Sequence, residues 1–294
     1  MREIRNKDPE VFRLITTRTV ESRLWLVPNS RTRKLFGGIL ARYQEIFSVE
    51  IYAYAFLGNH YHLIIRAPNS NTDEFIENVN REIARRINWI HRKEGPLWSR
   101  RYVDQQIITE EDLTECFLYV NTNTAHHGLI KDPYKWPGLS SISQVSHEQD
   151  RRFSFRHYTD GKTTHHRLRI SALPQFKEME REARKQHIIK IIDQRISEII
   201  RRRGEQFLSI EEIRSFPPGE KPGSTKKTPK APFYSKCSQT IKEMRKVFGD
   251  LRAFYADASF RYRSGERDVI FPKFTFFPPL HRRPKLTRFG PIPC

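Results

Sequence analysis

Between residues 49 and 66 the chain carries two strand-like runs, VEIYAYAFL and HYHLIIR, parted only by Gly58-Asn59. Runs of aromatic, β-branched and small apolar residues suit a pleated surface. A two-residue break joins such runs as neighbouring antiparallel strands with a tight turn. This hairpin is the firmest constraint on the fold, because everything before and after must pack against it. Upstream, Phe12, Leu14 and Thr16 alternate with Arg13, Ile15 and Thr17, and this β-branched run reads as a first strand. Leu35, Ile39, Leu40 and Tyr43 recur at helical spacing, which predicts an amphipathic helix over roughly 31–46. Downstream, Thr72 is the expected N-cap of a helix whose stripe is Phe75, Ile76, Val79, Ile83, Ile87 and Ile90, ending at Gly95. Residues 98–108 are strand-like, and Thr109 with Asp112 resembles a capping box that opens a helix through about Asn123. The order β-α-β-β-α-β-α predicts an α+β, ferredoxin-like sandwich, an antiparallel sheet with helices on one face.

The second half is built differently. A helical pattern runs from Pro174 to Arg203, with Ile188, Ile192, Ile196 and Ile199 as its stripe. Residues 216–232, FPPGEKPGSTKKTPKAP, read as a basic linker, and a further helix is expected over about 238–262, before a basic, proline-rich tail. The organisation expected is therefore 1–145, 146–215 (basic and helical), 216–236 (linker) and 237–294 (helix and tail). Charge follows the same division. Residues 1–145 hold 20 Lys and Arg against 17 Asp and Glu, and residues 146–294 hold 33 against 17, in a chain of 294 residues with net charge +19. Such an excess points to a polyanionic partner, with the salt-sensitive affinity expected in the second half. Three cysteines without a CxxC pair exclude a disulfide framework and a cysteine zinc site and fit a reducing cytosol. No apolar run approaches the roughly 18 residues of a membrane span, and the N-terminus has no apolar leader, so neither membrane insertion nor secretion is expected.

Two features carry chemistry. His60 and His62 lie two apart on a strand and therefore share a face. Neutral imidazoles so placed can hold one divalent ion, although a histidine pair on a wet sheet face would leave the same trace. On the following helix, Leu113, Phe117 and Val120 form the buried stripe, and Tyr119 and Asn123 lie off it, one turn apart on a common side. A core tyrosine would sit on the stripe, so Tyr119 is either a functional group or an idle exposed one. Together the two features meet the needs of phosphodiester cleavage by a tyrosine nucleophile. The His60 and His62 nitrogens with an Asn123 amide oxygen make a mixed donor set suited to Mg²⁺ or Mn²⁺, and Tyr119 would form a covalent phosphotyrosine.

The segments GNHYHLII, GPLWSRRY and YVNTNTAHHGLIKDPYKWPGLSS, in that order and spacing over roughly residues 8–145, resemble bacterial single-tyrosine HUH transposases, and among them the REP-associated tyrosine transposase group. The resemblance implies a ferredoxin-like HUH fold, single-stranded or hairpin DNA as substrate, a divalent metal, and a covalent 5′-phosphotyrosine intermediate with a free 3′-OH. Residue by residue, it implies His60 and His62 as metal ligands, Tyr119 as nucleophile and Asn123 as the helix residue completing the site. Two positions depart from the pattern: Asn123-Thr124 stands where the group often has Asn-Pro, and Tyr61 stands where a small aliphatic residue is usual. Tyr61 is a rival nucleophile by residue type, but it should face away from the histidines. The resemblance also implies that a homodimer exchanging the tyrosine helix is an available arrangement, which leaves cis and trans attack open. A domesticated binder of structured DNA or RNA that no longer cuts, and an HUH replication initiator or relaxase, are the alternative readings.

Among weaker signals, Arg100 and Arg101 follow Trp98 within the resembling segment and are candidates for DNA contact. Lys226, Lys227, Arg282 and Arg283, with Lys230 and Lys285, are candidates for nonspecific backbone binding. Arg81, Arg85, Arg86 and Arg92 read as a solvated helix face. The doublets His126-His127 and His165-His166 read as surface histidines without a partner at ligand spacing.

Overall fold

A computed structural model describes residues 7–223, 231–275 and 286–287. The hairpin is its centre: β2 (Glu50–Phe56) pairs with β3 (His60–Arg66), β3 with β1 (Arg13–Arg18), and β1 with β4 (Val103–Ile107), all antiparallel. With α1 (Ser30–Phe47) between β1 and β2 and α2 (Thr72–His91) between β3 and β4, the spatial order β2-β3-β1-β4 is ferredoxin-like.

Local chemistry sets the ends of these helices. Asn29 caps α1, accepting the Thr32 amide at 2.9 Å, while Thr32 Oγ1 accepts the Asn29 amide at 3.1 Å. The cap of α2 is Asn71, one residue before the expected Thr72, and the helix stops at His91 because Arg92 turns left-handed. The predicted strand over 98–108 is realised only from Val103, since Ser99–Arg101 bend outward after a single bridge between Thr19 and Trp98.

Helices cover both faces of the sheet, where one had been expected. On the first face α1 and α2 pack with Ile15, Tyr61, Leu63 and Ile65. On the second, Leu14, Ala53, Ala55 and Ile64 are equally apolar, and α3 (Glu110–Asn121) buries its Leu113, Phe117 and Val120 there. Residues beyond 145 complete both cores. The hairpin β5 (Arg151–Arg156) and β6 (Thr163–Leu168) packs on α1 with Phe153, Phe155 and Leu168 in the first cluster. The helix α6 (Arg181–Arg203) adds Ile188 and Ile192 to the second. Three short helices lie between these units: α4 (Asn123–His126), α5 (Ile142–His147) and α7 (Ile210–Ser215). A two-residue strand, β7 (Phe233–Tyr234), adds to the sheet parallel to β4, and α8 (Ser238–Arg263) follows with its own small cluster of Phe233, Met244, Phe248 and Leu251.

Candidate active site

Alternation along β3 splits its side chains. Tyr61 points into the first face, fully buried, and donates to Asn80 Oδ1 at 2.7 Å. His60 and His62 point to the second face with their ring centroids 4.9 Å apart. Tyr61, the rival nucleophile, is thereby turned away from the pair, and its burial raises its pKa far above that of a free phenol.

Each imidazole is held by a neighbour at Nδ1. Asn59 Oδ1 lies 2.6 Å from His60 Nδ1, and Thr16 Oγ1, across the β1–β3 register, lies 2.9 Å from His62 Nδ1. A carbonyl oxygen can only accept, so His60 Nδ1 carries the proton and its Nε2 the lone pair; such contacts fix ring orientation and tautomer for a metal-binding histidine.

Across the face stands α3. Its N-cap Thr109 accepts the Asp112 amide at 3.1 Å. It ends at Asn121 because Asn121 Nδ2 and Thr122 Oγ1 turn back on the Phe117 and Leu118 carbonyls, at 2.9 and 2.7 Å. The break at Thr122 starts α4, whose first residue is Asn123. The Tyr119 ring comes to 5.4 Å from that of His62. Burial raises the Tyr119 pKa, while the Asn123 amide and the Arg18 charge pull it back. Asn123 is completely buried, yet neither its Oδ1 nor its Nδ2 has a well-formed hydrogen bond. An amide so placed ordinarily has a partner, and the side chain it acts on is the Tyr119 phenol. No three His, Cys, Asp or Glu gather as a metal centre among the described residues. Two imidazoles and this amide fit a divalent ion whose remaining positions are filled by phosphate or water oxygens.

Sequence reading missed several neighbours. His126 and His127 are exposed, as expected, but at the rim of this site: His126 lies 5.5 Å from Tyr119 and His127 lies 5.9 Å from His60, measured between ring centroids. Partial burial and then Arg202, Arg203 and Arg195 depress the His126 pKa, which favours the neutral imidazole. These residues sit seven and eight positions beyond Tyr119, and only the break at Thr122 carries them back to it. Arg18 was also missed; it is paired in register with His60 and shares the field of Tyr119. Glu115, one turn before Tyr119, takes Arg195 Nη2 at 2.8 and 3.0 Å and also binds Lys236, whose backbone amide donates to Asp112 Oδ1 at 2.9 Å. Around Tyr119 a cleft of about 490 Å³ is lined by Thr122, His126, Arg195, Arg201 and Arg202.

Among the proposed DNA contacts, Arg100 and Arg101 are exposed on the bend before β4, and the Arg100 charge reaches Arg18. Lys226, Lys227, Lys230, Arg282, Arg283 and Lys285 lie outside the described residues. On α2, Glu82 engages Arg85 and Arg86, and Glu77 engages Arg81, so this face is internally paired. His166 contacts Glu45 at 2.7 Å, on the opposite face from the histidine pair.

A ferredoxin-like sheet that sets an H-x-H pair on an inner strand against a helical tyrosine has the layout expected of a single-tyrosine HUH domain. Residues 18–123 match the family model described as "Transposase IS200 like", which bears out the resemblance over that part of the chain. No curated protein matches the chain. A solved structure described as "Structure of the REP associates tyrosine transposase bound to a REP hairpin" is 16% identical, with a TM-score of 0.41 over 49% of this chain and 82% of that one.

Proposed function

We propose that the chain is a transposase that cuts and rejoins single-stranded DNA beside a hairpin or repeat, through a covalent 5′-phosphotyrosine on Tyr119. The observation that carries this reading is the meeting of Tyr119 with His62, their ring centroids 5.4 Å apart, with the buried Asn123 amide acting on the same phenol. His60, His62 and Asn123 would hold Mg²⁺ or Mn²⁺, which when bound supplies Lewis-acid polarisation of the scissile phosphate. The Tyr119 oxygen attacks phosphorus, the P–O3′ bond breaks, and the 3′ oxygen leaves as a hydroxyl after gaining a proton. Rejoining reverses this with an incoming 3′-OH. His126, 5.5 Å from Tyr119 between ring centroids, would receive the tyrosine proton, and Arg18 would offset charge on the phenolate and phosphate. Arg195, Arg201 and Arg202 would line the path of the strand, with Arg100, Arg101, Lys226, Lys227, Arg282 and Arg283 adding backbone contacts. Because Tyr119 stands beside the histidines of its own chain, attack in cis is the arrangement favoured, in a monomer or in each half of a homodimer.

The test is incubation with hairpin oligonucleotides and Mn²⁺ followed by a denaturing gel. A protein–DNA adduct is expected, absent in Tyr119→Phe and, in the folded protein, in His60→Ala. An adduct that survives Tyr119→Phe would sink the assignment.

A further inference from the structure

A second cavity, of about 670 Å³, has His60 in its lining. His60, His127 and Arg18 form one edge, and the rest is mainly apolar. Leu24, Pro28 and Leu57 come from the first half of the chain, and Ile213, Phe216 and Pro222 from the second. Trp136 also lines it, and since its indole N–H is engaged by the Phe56 carbonyl at 3.1 Å, it contributes ring surface rather than a free donor.

The far wall is fixed in place. Leu24 donates its amide to the Glu220 carbonyl at 2.8 Å, Gly219 donates to the Leu24 carbonyl at 3.1 Å, and Arg23 Nη1 reaches the Gly219 carbonyl at 3.1 Å. Gly219 has φ +82, and a Cβ there would strike Trp25 at 2.5 Å, so the wall needs a glycine to lie this close. Glu21 and Ser22, also in the lining, hold successive positive φ values of 53 and 59. Strain of this kind persists where surrounding structure demands a particular shape.

We propose that this cavity receives an unpaired nucleobase of the strand whose phosphate lies at His60 and His62. The inference rests on the DNA-cleaving reading above and goes beyond it by naming where a flanking base is held. Three observations support a base as the occupant. The cavity shares His60 with the phosphate site, so a nucleotide next to the scissile bond reaches it without a bridge. Arg18 in the lining is a cation matched to a connecting phosphate. The walls offer flat and apolar surface to a π-face, with Asn59 and Glu220 at the edges, as in pockets that take bases out of a stack. Apolar walls of this volume fall within the range used for small organic ligands.

The experiment uses the hairpin oligonucleotide that the full-length chain cuts, with an abasic site introduced in turn at each unpaired position beside the cut. Affinity is read by fluorescence anisotropy in the Tyr119→Phe protein, so that no strand is consumed. One or two abasic positions are expected to weaken binding by about tenfold. Gly223→Trp adds bulk to the cavity lining at a position where a Cβ meets nothing within 4 Å among the described residues, and should weaken the intact strand by a similar factor while flattening the abasic profile. Phe216→Ala, which enlarges the cavity, should lose affinity at that same position alone and gives an independent reading. An unchanged profile in both variants would overturn the proposal, as would a free deoxynucleoside monophosphate binding as tightly as the strand. Adduct formation at Tyr119 with a flat profile in the Tyr119→Phe protein defeats the cavity assignment only. The absence of any adduct or binding defeats the functional reading and this inference with it.

Discussion

The positions that set the candidate chemistry are held by neighbours outside the H-x-H motif. Thr16 contacts His62 Nδ1 from the adjacent strand, and removing an outer partner of a metal-binding histidine typically costs 10- to 100-fold in metal affinity. Thr16→Val should therefore weaken Mn²⁺ binding by about that factor, measured calorimetrically, with the fold unchanged; equal affinity would show that the hydroxyl does not orient the ring. Arg18 acts on the other partner. Its guanidinium, opposite His60 in the register, offsets the burial that makes the Tyr119 phenol harder to ionise. Arg18→Ala is expected to slow adduct formation by about 100-fold in a single-turnover assay while leaving Mn²⁺ affinity near wild type. A rate within twofold of wild type would remove Arg18 from the reaction. His60 and His62 were legible in sequence because strand periodicity alone puts them on one side of β3, and Tyr119 because it lies off the apolar stripe of α3; Asn123 was read on the same helix as Tyr119, whereas it opens α4 after the break at Thr122. Arg18, Thr16, His126 and His127 were not legible, since strand register and a helix break determine where they lie and neither shows in local spacing.

At the scale of elements, α6 joins the basic half to the sheet. Ile192 is fully buried in the second-face cluster, so Ile192→Ala should destabilise the chain by about 2–4 kcal/mol, seen as a lower Tm. Two carboxylates also hold α6. The Arg184 guanidinium, bonded at 2.5 Å, draws the Glu148 pKa below its ordinary 4.5. Burial alone would raise Glu115, but Lys236 and Arg195 outweigh it and its pKa is lowered too. With both pKa values depressed on folding, the unfolded chain binds more protons below the ordinary value of 4.5, so this stabilisation is complete above it and is lost as pH falls through the lowered values. Acidification should therefore lower the hydrogen-exchange protection factors of α6, and Glu148→Gln should reproduce part of that loss at pH 7; protection factors that ignore both would show that α6 is held by its isoleucines alone. The long helices were legible from their apolar stripes, whereas the β5–β6 hairpin was not. Phe153 and Phe155 alternate with exposed Arg152, Ser154 and Arg156, but the run is short and its charges hide a period of two. β7 has only two residues and no pattern of its own; it exists because β4 offers an open edge.

For the whole molecule, the division of charge and the division of structure differ. Residues 1–145 are nearly neutral, yet Phe153, Phe155, Leu168, Ile188 and Ile192 complete their cores, so a fragment ending near residue 145 is expected to expose apolar surface and aggregate. The electrostatic contribution is better tested in the full chain. Replacing Lys226, Lys227, Arg282 and Arg283 by Gln should lower the slope of log affinity against log salt by up to about 0.7 per residue on single-stranded DNA, with little effect on adduct chemistry once DNA is saturating. An unaltered slope would place the polyanion contacts elsewhere, with the arginines of α6 the next to test. The salt links from Arg195 and Lys236 to Glu115 have one further consequence. They tie α3 to the second half of the chain, so under the proposed reaction a DNA end esterified to Tyr119 would stay where it was made. The choice between healing the original break and forming a new junction would then fall to whichever 3′ end next arrived: the protein would keep the place, and the DNA would supply the movement.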